Sequence, residues 1–193
     1  MSPSPQASSR PGGRTARNRR SVLDAVAALL LETGYDGLTI DTVAARSGVH
    51  RTTVYRRWRD TGGLLADALD AARDVPWTPP DTGSLVGDLT AINRQIVAAL
   101  TEVPSITAAL IAASFRSPVA AEALRSFWED RYAAAAVVVE RVAPGVPARP
   151  VLVASCAPVF YELVLLRGPA TDDLAERYAR LAAASVSRSS ASP

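Results

Sequence analysis

Between Leu38 and Trp58 the chain reads Leu-Thr-Ile-Asp-Thr-Val-Ala-Ala-Arg-Ser-Gly-Val-His-Arg-Thr-Thr-Val-Tyr-Arg-Arg-Trp, and no other stretch constrains the fold as much. Thr39 suits an N-cap before Ile40, since its hydroxyl can accept from the free amides of a first helical turn. Ala44 stands where two helices would cross closely. Gly48, four residues on, suits a turn that needs positive φ. Val49 and Val54 point back toward an apolar scaffold. The spacing predicts two short helices joined by a tight turn, about Ile40–Ser47 and His50–Trp58. The second carries His50, Arg51, Thr52, Thr53, Tyr55, Arg56 and Arg57, a dense row of donors of the kind that reads base edges in a major groove. A helix-turn-helix can equally be a structural corner. Here the donors, the local charge and an arginine-rich arm favour nucleic acid.

Charge is distributed unevenly. The first sixty residues hold ten arginines against five acids, and the remainder eleven against fourteen. One end can meet a polyanion while the rest is mildly acidic. A nonspecific architectural DNA binder, the main alternative to a sequence-reading protein, would need a basic surface over most of its length. A helical enzyme is the other alternative. His50 is the only histidine, and the chain has no phosphate loop, nucleophile elbow or metal-ligand spacing. No catalytic residue, metal or cofactor is therefore expected. Cys156 is the only cysteine, which leaves no disulfide framework. An inert buried thiol is the first expectation for it and a redox sensor the second. The apolar runs at 25–31 and 133–139 are too short to span a bilayer, and no apolar segment follows the N-terminal charges. The expectation is a cytoplasmic protein with no membrane partner.

Residues 1–16, rich in Ser, Pro, Gly and Arg, are expected to form a disordered basic arm, extended by Arg17, Arg19 and Arg20. From Arg17 to Thr33 the pattern is helical, with Val22, Leu23, Val26, Leu29 and Leu30 on one face and Gly34 as the stop. A fourth helix is expected over about Gly62–Arg73, capped by Asp60 or Thr61, with Gly62 and Gly63 weakening its first turn into a possible hinge. A proline-rich break at 75–83 separates it from further helices at about 84–101, 104–115, 118–142, 151–167 and 172–187. Ser117-Pro118 opens one of these with a cap and a first-turn proline, and Pro158 kinks or displaces another. The fold class is all-α with about nine helices. The helix-turn-helix lies in a three-helix head spanning 17–62, and a larger helical body spans 63–193.

Gly34-Tyr-Asp-Gly-Leu-Thr39, the run from Val43 to Trp58, and Leu64-Leu-Ala-Asp-Ala-Leu69 resemble the TetR family of bacterial transcriptional regulators, with three consecutive helices agreeing in order and spacing. Pro79, Asp81, Gly83, Ser84 and Leu85, with Pro158-Val-Phe-Tyr161, are similar to an actinobacterial-type C-terminal branch. The resemblance implies a homodimer paired through its last two helices. It would bind a pseudo-palindromic double-stranded DNA operator, usually as a repressor, and be released by a small-molecule effector held in the body. It also implies roles by position. Thr39 would bond a phosphate. Arg51 would contact guanine or phosphate, and Thr52 and Thr53, in the same turn as His50, would reach bases. Tyr55, Arg56 and the Trp58 indole would contact the backbone, with core packing as the other reading of Trp58. At the start of the fourth helix, where the family usually has a lysine, this chain has Thr61, so Arg57 or Arg59 would replace that contact. In the body, Phe115, Phe127, Trp128, Tyr132, Phe160 and Tyr161 among small residues are expected to leave a ligand pocket. Glu162 stands where relatives often place arginine. It would line a pocket and favour a cationic ligand, or else be solvated or paired with an arginine such as Arg167.

Overall fold

The computed structural model describes residues 11–189, which form nine α-helices and no strand. They are α1 (Pro11–Thr33), α2 (Ile40–Ser47), α3 (Arg51–Trp58), α4 (Thr61–Arg73), α5 (Leu85–Thr101), α6 (Ile106–Ser114), α7 (Pro118–Glu140), α8 (Ala148–Phe160) and α9 (Leu174–Ser189). A five-residue π-turn, Tyr161–Leu165, continues α8. The expected start of α1 at Arg17 is corrected to Pro11, so residues 11–16 are helical. Proline is at home in the first helical position, where its missing N–H costs nothing. Residues 1–10 of the expected arm lie outside the described residues.

Most helix ends are set by local chemistry. Thr39 caps α2 by accepting from the Thr42 amide at 3.0 Å, and the Thr42 hydroxyl oxygen accepts in turn from the Thr39 amide at 2.9 Å. Gly48 ends α2 at φ 68°. Asp60, rather than Thr61, caps α4 through the Gly63 amide at 2.9 Å. Ser84, Ser105 and Ser117 cap α5, α6 and α7 in the same way. Pro158 lies inside α8 and cannot donate to the preceding turn, and the widened turn follows three residues later.

Two apolar cores result. The first gathers Val22, Val26, Leu29 and Leu30 of α1, Val43 and Ala44 of α2, Val54 and Trp58 of α3, and Leu64 and Leu65 of α4. It also contains Ala113 of α6 and Ala120 of α7. The expected division at residue 62 thus falls inside α4, and the head's core continues into the body. The second core joins α5, α7, α8 and α9 around Leu89, Val138, Val139, Leu152, Val159 and Leu174. Of the regular apolar stripe along α7, Ala135, Val138 and Val139 are buried in it. Phe127, Trp128 and Tyr132 on the same stripe line cavities instead.

The glycines at the start of α4 have a steric role. A Cβ on Gly63 would lie 2.3 Å from the backbone oxygen of Trp58, and one on Gly62 would lie 2.6 Å from Ser117 Oγ. They let α4 close on both α3 and the cap of α7. This replaces the expectation of a weakened, hinge-like turn with one of close packing.

Candidate nucleic-acid interface and effector pocket

The reading helix is fixed from behind. Val54 and Trp58 bury one face of α3, leaving Arg51, Thr52, Tyr55, Arg56 and Arg57 exposed and Thr53 half-buried. His50 supplies the N-cap: its Nδ1 accepts from the Thr52 amide at 3.4 Å and lies 2.9 Å from Thr52 Oγ1. With Nδ1 accepting, a neutral imidazole carries its proton on Nε2 and keeps a donor for an external acceptor. Arg51 Nε lies 2.7 Å from Asp41, and both side chains are exposed, so solvent weakens that pair and a stronger acceptor can displace Asp41. Thr39 is exposed at the positive end of α2, where an anion is favoured.

Trp58 departs from its expected DNA role. Its ring is buried, and its indole N–H donates to Asp67 Oδ2 on α4 at 2.8 Å. The N–H is spent internally, so Trp58 is a packing residue. Arg19, expected in the basic arm, is spent on the same carboxylate, with Nε and Nη2 at 2.9 and 2.6 Å from Oδ1. Arg57 approaches Asp67 at 3.9 Å with its guanidinium over the Trp58 ring. Burial pushes the Asp67 carboxyl up. The hydrogen bonds from Arg19 and Trp58, with the charges of Arg19 and Arg57, outweigh burial and hold it below its ordinary value. One carboxylate thereby ties α1, α3 and α4 together.

Beside α3 runs a groove of about 640 Å³ lined by Arg14, Thr15, Asn18 and Arg19 of α1 and by Thr53, Arg56, Arg57 and Trp58 of α3. Arg14 and Asn18 were not among the expected contact residues: Arg14 fell in the arm expected to be disordered, and Asn18 in the expected helix. Their four-residue separation places them on one helical face and was the available signal. At Thr61, the hydroxyl lies 3.5 Å from the Tyr35 phenol. The Arg116 guanidinium sits over that phenol's ring and pairs with Asp36 at 2.9 Å.

Two apolar spaces of the body meet at Trp128 and Tyr132, which line both. The inner cavity, about 260 Å³, lies among α5, α7 and α8, and Phe127, Trp128 and Tyr132 come together there with Trp77, Gln95, Arg131 and Cys156. The outer groove, about 620 Å³, collects Phe115, Phe160 and Tyr161 beside Ile111, Leu124 and Leu165. The aromatics expected in one pocket are therefore divided between two. Glu162 lines neither; its carboxylate accepts from the Tyr178 phenol of α9 at 2.8 Å. The expectation that it lines a pocket or pairs with an arginine is corrected. Cys156 is buried, and burial pushes its thiol up to about 12, so it stays protonated and poorly nucleophilic at neutral pH. Burial, reinforced by that neighbour, also pushes the Tyr132 phenol up to about 12.

Comparison with known proteins accounts for both halves. Residues 22–68 match the family described as "Bacterial regulatory proteins, tetR family", and residues 79–182 match "Tetracyclin repressor-like, C-terminal domain". The chain is 35% identical over 129 residues to the HTH-type transcriptional regulator AqdR of Rhodococcus erythropolis, a match covering 66% of this chain and 62% of that one. It is 36% identical over 103 residues to an uncharacterized HTH-type transcriptional regulator of Mycobacterium tuberculosis strain H37Rv, covering 53% and 50%. The chain thus spans between half and two thirds of these relatives. Among solved structures, the TetR family transcription regulator SCO0332 superposes with a TM-score of 0.65 at 29% identity, covering 86% of this chain and 97% of that one. A TetR-family regulator from Mesorhizobium loti superposes at 0.62 with 17% identity, covering 91% and 98%, a likeness of fold alone.

Proposed function

Since the chain belongs to the TetR family of bacterial regulatory proteins, we propose that it is a cytoplasmic repressor that binds a pseudo-palindromic operator as a homodimer and lets go when a small molecule fills the body cavity. That it is a DNA-binding transcriptional regulator and not an enzyme follows from the family. The observation that carries the reading is α3, buried on one side by Val54 and Trp58 and exposed from His50 to Thr52. In this reading Arg51, Thr52 and Thr53 reach base edges, while Thr39, Tyr55, Arg56 and Arg14 hold phosphates. Genomic DNA captured by the purified protein identifies the operator. Arg51→Ala then weakens operator binding by about 1–3 kcal/mol at fixed salt. Unchanged affinity removes Arg51 from the base-reading set.

Dimerisation through the last two helices is supported by their outer faces. Residues 148–165 have a mean hydropathy of 1.4 yet are only 28% buried. The composition reading missed this stretch because Arg149 and Glu162 interrupt it. Along it Ala154, Ala157, Tyr161 and Leu165 fall on one exposed stripe, and Leu181 and Ala184 are exposed on α9. A second copy covering this surface removes it from water, whereas a monomer leaves it wet. Leu181→Arg keeps the α9 core residues and should shift sedimentation from dimer to monomer. A variant that remains dimeric rejects this interface.

A further inference from the structure

Arg131 of α7 stands apart from its neighbours on the inner cavity's wall. Its guanidinium carbon lies 5.4 Å from the Trp77 ring centre and 5.1 Å from that of Phe127. Among the described residues no carboxylate lies within ion-pair distance of it. The adjacent acids are committed elsewhere, Glu129 to Arg149 and Asp130 to Arg73. The hydrogen bond that Arg131 makes to protein runs from Nη2 to the Ala72 carbonyl at 3.3 Å, a long contact. A guanidinium is always charged, and its fork is preset for a planar anion.

The rest of the lining has the same bias. No aspartate or glutamate faces the cavity. Gln95 spends its carbonyl oxygen on the Trp77 indole N–H at 2.8 Å, which leaves its amide NH₂ to donate. The Tyr132 phenol and Cys156 thiol hold their protons at neutral pH, as shown above, and Thr107 adds a hydroxyl. The cavity is thus apolar in its walls and supplied mainly with donors. A cation would meet an unanswered like charge. A hydrocarbon would make no use of the Arg131 fork.

We infer that the inner cavity binds a small apolar carboxylic acid, with its carboxylate on Arg131 and its ring or chain among Phe127, Trp128 and Tyr132. The inference rests on the proposal that this cavity is the effector site, and it reverses the ligand charge that Glu162 suggested. Size agrees: an apolar cavity of roughly 150 Å³ holds benzene, and about 260 Å³ admits a ring with a short acidic arm. A carboxylate taking the guanidinium fork also competes with the Ala72 carbonyl, which lies in the last turn of α4.

Three probes of nearly one shape and different charge test this: phenylacetate, phenylacetamide and phenethylamine, titrated calorimetrically into the full chain. Phenylacetate should bind at least about tenfold more tightly than the amide, and the amine more weakly than either. In Arg131→Gln the acid should lose its advantage over the amide, a ratio taken within one folded preparation. Equal affinity for acid and amide in the wild type, preference for the amine, no saturable phenylacetate binding, or an acid preference that survives Arg131→Gln would each overturn the inference. The same acid added to the protein–DNA complex separates the two proposals. Selective binding that leaves the DNA bound refutes ligand gating and leaves the assignment of the site intact.

Discussion

Asp67 in the head and Arg131 in the body are each a half-buried charge where helices meet, and the fold treats them in opposite ways. Asp67 is answered by Arg19 and Trp58 and approached by Arg57, so its oxygens are engaged from two other helices. Arg131 is given two aromatic faces, one long bond to a carbonyl and no carboxylate. Where a surface must keep its shape to read DNA, the chain closes its polar contacts internally. Around the inner cavity, the proposed effector site, it leaves the Arg131 fork open and lines the space with apolar walls. A guanidinium on a cavity wall with no carboxylate beside it keeps its fork open for an anion from outside.

This contrast has measurable consequences. The largest is at the answered charge. Asp67→Ala leaves a guanidinium and an indole N–H unpaired between α1, α3 and α4, and should lower stability by about 3 kcal/mol in urea unfolding. A loss under about 1 kcal/mol would mean that the three-helix tie is ornamental. Next is the close contact on which that tie depends. In Gly63→Ala the new methyl meets the Trp58 oxygen. Overpacking of about 3 kcal/mol, less about 1 kcal/mol of improved helix propensity, leaves a net loss near 2 kcal/mol. A more stable variant would show that α4 can move off α3 freely. Arg131→Gln should cost no more than about 1 kcal/mol without ligand, since only aromatic contacts and one weak bond are lost. A loss as large as that of Asp67→Ala would mean that both charges serve folding, and the contrast would collapse.

The smallest effect is one of pH. The folded-state pKa of Asp67 lies below its ordinary value. Its contribution is therefore complete above the usual carboxylate range and is lost as pH falls through the lowered folded value. Asp67→Asn keeps the shape and removes this titration. The stability curves of wild type and variant should converge on acidification, and a constant gap down to the acid limit would assign the difference to packing rather than charge.

How much of this was legible beforehand depended on how far apart the interacting residues lie. Thr39, Gly48, Asp60 and Ser117 act on atoms within a turn of themselves, so the helix order and most boundaries could be read from spacing. Trp58 and Asp67 are nine residues apart on different helices, and Glu162 and Tyr178 sixteen. Each had a plausible local role that a partner across the fold removed. The aromatics of α7 and α8 were expected around one pocket, but their division between two spaces depends on which way each ring turns about its helix. Arg131 escaped notice altogether. Among the chain's many arginines, what distinguishes it is a place on an apolar cavity wall with no carboxylate beside it, and spacing along a sequence carries no record of that.

Ala113 and Ala120 sit in the head's apolar core although they belong to α6 and α7. A DNA-reading unit cut from this chain after α4 would lose Ala113 and Ala120 from its core, and with them Ile106, Ala109 and Leu110, which pack against it. Exchange of heads between relatives therefore has to bring the α6–α7 corner along, or find a recipient whose corner has side chains as small. The unit that can be inherited or transplanted is thus larger than the unit that touches DNA.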